Sequence, residues 1–163
     1  MLVCFVLDGS GSMGGYESQV RSFVTESVSK LGLSDDGSKA CIVSFSDSAS
    51  TLSYLTASQD QLVGAMDEYS TSGLTNIGAG LTLAGNILTS AYLPRLIVLL
   101  SDGDQSPDYG NSDAAIATAA TFKAMGISIF AVGFAGVSLN TLTEISSGSS
   151  YVIHSNSLAS ATT

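Results

Sequence analysis

Stretches that are apolar at nearly every position alternate along this chain with stretches that are apolar only at every third or fourth residue. Residues 2–7, 39–45, 95–101 and 127–133 are of the first kind. Such runs, rich in β-branched and aromatic side chains, read as strands covered on both faces. Residues 16–31 are of the second kind, with Val20, Phe23, Val24, Val28 and Leu31 at helical spacing, Glu17/Arg21 and Glu26/Lys30 as i,i+4 pairs, and Gly32 as a stop. Further helices are predicted over 76–92, ending before Pro94, over 112–125 with Ser112 as cap and Gly126 as stop, and over 139–145. Residues 150–154 read as a last strand.

The turn Ser46-Asp47-Ser48 is too short for a crossover, so 39–45 and 49–55 form an antiparallel hairpin whose second strand is a sheet edge. Ser58 and Gln61 have the spacing of a capping box for the helix that follows. Strand and helix otherwise alternate, which predicts an α/β fold. The expected form is a doubly wound, mostly parallel six-stranded sheet in the order 3-2-1-4-5-6, with strand 3 the antiparallel edge and helices on both faces. Residues 1–163 read as a single domain cut from a longer protein, stopping near Leu158 where a closing helix would start.

Composition narrows the function. The charged fraction is 12%, with 14 acidic and five basic residues and a net charge of −9. So few cations leave no footprint for nucleic acid or an anionic membrane. No run approaches the roughly 20 apolar residues of a membrane span. Cys4 and Cys41 fall in strands expected to lie side by side. Neighbouring parallel strands seldom offer disulfide geometry, so two buried thiols are expected.

The candidate chemistry lies where strands end. Strand 1 runs into Asp8-Gly9-Ser10-Gly11-Ser12, a carboxylate followed by hydroxyls at alternate positions, which in an extended turn point the same way. Strand 4 ends on Ser101-Asp102-Gly103. In the expected strand order it neighbours strand 1 at the switch point, so Asp8 and Asp102 face each other and repel unless a cation lies between them. The glycine-rich turn Gly73-Leu74-Thr75-Asn76-Ile77-Gly78 can bring a third hydroxyl, from Thr75. Oxygen-only donors of low total charge suit a hard cation and argue against zinc. Mg²⁺ or Mn²⁺ is expected ahead of the larger Ca²⁺. Asp104 and Asp108 read as a solvated loop or an outer shell, and Tyr16, Ser46 and Tyr109 as candidates for the rim.

Other machinery fits less well. Gly9-x-Gly11-x-x-Gly14 spells a dinucleotide fingerprint, but Asp8 would set a negative charge against the pyrophosphate, and Asp47 lies too far along to be the ribose-binding acid. Asp8 as a phosphoryl acceptor would need a lysine to hold phosphate, yet Lys30, Lys39 and Lys123 are all expected away from the crevice. His154, the sole histidine, has no serine–carboxylate context and reads as structural. No enzyme is expected.

The three pieces together resemble the metal-ion-dependent adhesion site (MIDAS) of the von Willebrand factor type A family. Its Asp-x-Ser-x-Ser is matched by Asp8, Ser10 and Ser12, its threonine by Thr75 and its strand-terminal Asp-Gly by Asp102 and Gly103. The resemblance implies an extracellular or cell-surface module whose cation takes an Asp or Glu side chain from a protein partner. The alternative is a scaffold subunit of a larger assembly. Collagen-binding members carry an extra short helix for which residues 133–138 leave no room, so collagen recognition by that mode is not expected.

Overall fold

A computed structural model describes residues 1–89, 92–134 and 137–155 of the chain. Strand β1 (Leu2–Asp8) lies at the centre of a six-stranded sheet, between β2 (Lys39–Phe45) and β4 (Arg95–Ser101) and parallel to both. Beyond β4 come β5 (Ile127–Phe134) and β6 (Val152–Ser155), also parallel, and beyond β2 comes β3 (Ala49–Thr56), antiparallel. The order is 3-2-1-4-5-6, the one expected of a doubly wound sheet. Edge strand β3 is only partly buried, and its pairing with β2 shifts register around Ile42, an irregularity that blunts an open edge.

Both faces of the sheet are buried, which is why its inner strands are apolar throughout. Cys4, Val6, Cys41, Val43, Phe45, Ile97, Leu99 and Ile129 pack on one side against α3 (Ile77–Ile87) and α4 (Asn111–Ala124). Val3, Phe5, Leu7, Ile42, Val98, Leu100 and Val132 pack on the other, against α1 (Glu17–Lys30), Leu62 of α2 (Gln59–Ala65) and Met66. The alternation between the two sets is the period of two of an extended chain. Gly80 brings α3 close to the sheet, for a Cβ there would stand 2.7 Å from Phe45 Cδ1 and 2.9 Å from Val6 Cγ1. The short helix α5 (Leu139–Ile145) is capped by Ser138, and Lys123 Nζ donates to the carbonyls of Glu144 and Ser146 at its end.

Several local expectations are corrected. Cys4 and Cys41 form a disulfide: the parallel register sets them directly opposite, with Cα atoms 4.6 Å apart and both side chains on the same face. Helix α3 stops at Ile87, well short of residue 92, and Asn76 is its cap, accepting from Ala79 N. Helix α4 starts before Ser112, with Gly110 in the left-handed region as its cap. A 3₁₀ turn, Ser149–Tyr151, occupies the start of the expected last strand. In place of the expected Glu17/Arg21 pair, Arg21 pairs with Asp67 at 2.6 Å, while Glu17 accepts from the nearby Gly15 N and from the Thr71 hydroxyl across the fold. Half of the capping box forms: Ser58 accepts from Gln61 N, but the Gln61 side chain accepts from the Thr56 hydroxyl, which in turn accepts from Ser58 N. The expected helix from Leu158 lies outside the described residues.

Candidate metal site

Parallel strands deliver their carboxyl ends, and the loops that follow, to one edge of the sheet. Asp8 is the last residue of β1, Asp102 follows the last residue of β4, and Thr75 lies just ahead of α3. Four of the five candidate ligands are buried, Asp8 0% exposed, Ser10 1%, Asp102 7% and Thr75 8%, while Ser12 is exposed.

Four of the five residues join in one hydrogen-bonded run. Asp8 Oδ1 accepts from Ser10 N at 2.9 Å, Ser10 Oγ and Ser12 Oγ are 3.1 Å apart, and Ser12 Oγ donates to Asp102 Oδ1 at 2.8 Å. Since the Ser12 proton goes to Asp102, the Ser10 hydroxyl donates to Ser12. Two carboxylates thus close on each other through two serines. Thr75 comes in through its backbone, its N donating to Ser106 Oγ at 3.0 Å and its carbonyl accepting from Ser106 N at 2.8 Å. Gly11 N to Gly73 O (3.0 Å) and Ser72 N to Gly9 O (2.8 Å) tie the Thr75 loop to the Asp8 loop.

Burial pushes the Asp8 carboxyl up to about 6 from its ordinary 3.8, with the negative charge of Asp102 adding to the rise. Hydrogen bonds from Ser101 Oγ, at 2.5 Å, and from Ser10 oppose it without cancelling it. The Tyr69 hydroxyl donates to the Asp8 carbonyl, and its own acidity is weakened by burial and by the Asp8 charge. Neither Ser101 nor Tyr69 is among the residues that the motif singles out. Ser101 carries a faint signal, a hydroxyl closing an apolar strand beside an acid, whereas Tyr69 carries none.

The donor set fits a small hard cation. An octahedral shell with metal–oxygen bonds of about 2.1 Å has edges of about 3.0 Å, close to the 3.1 and 2.8 Å between the Ser10, Ser12 and Asp102 oxygens. Among the described residues no group of three or more His, Cys, Asp or Glu could hold a metal, so hydroxyls must supply part of any shell.

The residues weighed as alternatives are placed as follows. Gly9, Gly11 and Gly14 give their N–H groups to Phe45 O, Gly73 O and Gly11 O, so the amides a pyrophosphate would need are already used. Lys30 ends α1, Lys39 begins β2 and Lys123 lies near the end of α4, all remote from Asp8. His154 is exposed on β6, in register with Gly133. The Tyr16 ring packs edge-on against Phe134 with centroids 5.3 Å apart. Tyr109 does reach the rim, its hydroxyl donating to Asp47 Oδ1 at 2.9 Å, a bond that raises its pKa. Asp104 Oδ1 accepts from Ser138 N at 3.3 Å and so ties the cap of α5 to the loop after β4.

Residues 3–163 match the family model of the von Willebrand factor type A domain, and the chain belongs to that family. It is 26% identical to the mouse collagen alpha-5(VI) chain, an alignment that covers 93% of this chain and 6% of that one. Among solved structures it is similar to proximal thread matrix protein 1 of the mussel byssus, with zinc occupying the MIDAS motif, at 25% identity and a TM-score of 0.86 over 97% of this chain and 42% of that one. The fold also matches the von Willebrand domain of the pilus tip protein Mfa5 of Porphyromonas gingivalis, with a TM-score of 0.81 at 17% identity, over 99% of this chain and 90% of that one.

Proposed function

We propose that this domain is a divalent-cation-dependent adhesion module, not an enzyme, and that Asp8, Ser10, Ser12, Thr75 and Asp102 hold the cation. The observation that carries the reading is the run from buried Asp8 through Ser10 and Ser12 to Asp102: it concentrates two carboxylates and two hydroxyls at the sheet edge where a charge of +2 would be stabilised. A bound cation supplies a positive centre with a position for an Asp or Glu side chain of a protein partner. With the neutral hydroxyls of Ser10, Ser12 and Thr75 bound directly and one or both aspartates acting through water, much of that charge stays uncompensated, which favours an incoming carboxylate. Mg²⁺ or Mn²⁺ fits the close-set oxygens better than Ca²⁺. The zinc held by the mussel protein makes Zn²⁺ a third ion to test.

The relatives found in a collagen chain, a byssus thread and a pilus tip support an extracellular or cell-surface setting, as does the Cys4–Cys41 disulfide. No helix among the described residues is long and apolar enough to cross a membrane. The test is calorimetric titration of chelator-treated protein with Mg²⁺, alongside its melting temperature. At Mg²⁺ a hundredfold above Kd the folded state should gain about 2.7 kcal/mol, a rise of roughly 5–11 °C. Asp8→Ala should abolish the gain and keep the fold. A melting temperature indifferent to each of Mg²⁺, Mn²⁺ and Zn²⁺ would overturn the proposal.

A further inference from the structure

A hydroxyl ligand contributes little attraction of its own, so its place must be fixed by the backbone that carries it. For Thr75 that backbone is an exposed, glycine-rich turn: Gly73 and Leu74 are both exposed, and Gly73 has φ +75°. What holds the turn comes from the far side of the sheet edge. Asp47, in the turn between β2 and β3, accepts at Oδ1 from Leu74 N at 3.1 Å and from the Tyr109 hydroxyl at 2.9 Å. Its main-chain carbonyl accepts from Asn76 Nδ2 at 3.2 Å, and the neighbouring Ser46 carbonyl accepts from Asn76 N at 3.0 Å. Asp47 therefore grips Thr75 from both sides.

The same contacts close a ring. From Asp47 the path runs through Leu74 to Thr75, across the paired bonds between Thr75 and Ser106, on to Tyr109, whose N donates to the Ser106 carbonyl at 3.0 Å, and back through the Tyr109 hydroxyl to Asp47. Loops from β2–β3, from the start of α3 and from β4–α4 are thereby fixed to one another. Gly73 makes room for this, since a Cβ there would stand 2.2 Å from Asp47 Oδ2.

Resting on the metal-site reading above, we infer that Asp47 is a positioning residue: its carboxylate presents Thr75 to the cation by bonding Leu74 N and Tyr109 without itself belonging to the shell. Asp47→Ala removes both bonds, Asp47→Asn keeps an acceptor and removes the charge, and Tyr109→Phe removes one bond. The experiment measures Mg²⁺ affinity by titration for wild type and the three variants. It also follows amide hydrogen exchange at Leu74 and Thr75 in the metal-free proteins.

Asp47→Ala should lose tenfold or more in Mg²⁺ affinity, the usual cost of an outer-shell partner, while its metal-free melting temperature falls by no more than about 4 °C, because the exposed Asp47 exchanges its bonds for bonds to water. Leu74 and Thr75 should exchange faster in that variant. Asp47→Asn should stay within about threefold of wild type, and Tyr109→Phe should fall between Asn and Ala. Wild-type binding that is unchanged in Asp47→Ala, or unchanged exchange at Leu74, overturns this inference alone. Equal losses in Asn and Ala overturn it in favour of charge. A wild type that takes no Mg²⁺ overturns the metal-site reading and this inference with it.

Discussion

Asp8→Asn in the metal-free protein separates the cost of a buried charge from the hydrogen bonds around it. The amide reproduces those bonds: Asn Oδ1 can accept from Ser10 N, and Asn Nδ2 can donate to Ser101 Oγ, whose own proton then turns to the Gly103 carbonyl 2.9 Å away. What disappears is the desolvated negative charge. A rise in pKa from 3.8 to about 6 corresponds, at about 1.36 kcal/mol per unit, to roughly 3 kcal/mol of instability near pH 7. The sign follows from proton binding. Folded Asp8 holds its proton more tightly than the unfolded chain does, so this penalty is fully present above the folded pKa. It is relieved as pH falls from about 6 towards 3.8.

Asp8→Asn should therefore be more stable than wild type at pH 7 by about 2–3 kcal/mol, or roughly 4–12 °C in melting temperature, and the gap should shrink to about half a kcal/mol by about pH 4. Thermal melts of both proteins in chelator between pH 4 and 7.5 test this, because subtracting one curve from the other cancels the titrating groups that are not coupled to Asp8. Saturating Mg²⁺ should reverse the order at pH 7, since only wild type keeps its full ligand set. A gap that does not depend on pH, or an Asn variant less stable than wild type at pH 7 in chelator, would refute the argument from burial.

Three further outcomes are expected. Reducing the Cys4–Cys41 bridge, or Cys4→Ser with Cys41→Ser, should lower stability by about 4 kcal/mol for the 37-residue separation it closes, read as a urea midpoint shift with and without reductant. Gly80→Ala should lose about 1–2 kcal/mol, because forcing a Cβ against the Phe45 ring outweighs the gain of about 1 kcal/mol in helix propensity; a melting temperature at or above wild type would contradict it. In competition titrations Mg²⁺ and Mn²⁺ should outbind Ca²⁺, and a strong preference for Ca²⁺ would mean that carboxylates such as Asp104 or Asp108 coordinate directly.

Features set by residues close in sequence are legible in the chain itself. Strands 39–45 and 95–101, helix 139–145 and the stop at Gly126 follow from local periodicity and turn chemistry, and each stands where it is expected. The candidate ligands Asp8, Ser10, Ser12, Thr75 and Asp102 are legible too, because each sits at a strand end or ahead of a helix in a recognisable local pattern. Helix ends are less so: α3 stops at Ile87 where a helix to residue 92 is expected, and Gly110 caps α4 where Ser112 is expected, since a helix end is chosen by competition among neighbouring turns.

Whatever depends on register, or on loops that meet across the sheet edge, is settled by the assembled fold. Cys4 and Cys41 are bridged because the β1–β2 register sets them opposite each other, and a slip of one residue would have parted them. Ser101 bonds Asp8 across 93 positions, Ser12 bonds Asp102 across 90 and Tyr109 bonds Asp47 across 62. No local rule connects such pairs. Local sequence chose which oxygens could serve a cation and which strands would carry them. The packing of helices on a twisted parallel sheet set how near those oxygens stand, how dry Asp8 is, and therefore how strongly its charge calls for a counter-ion.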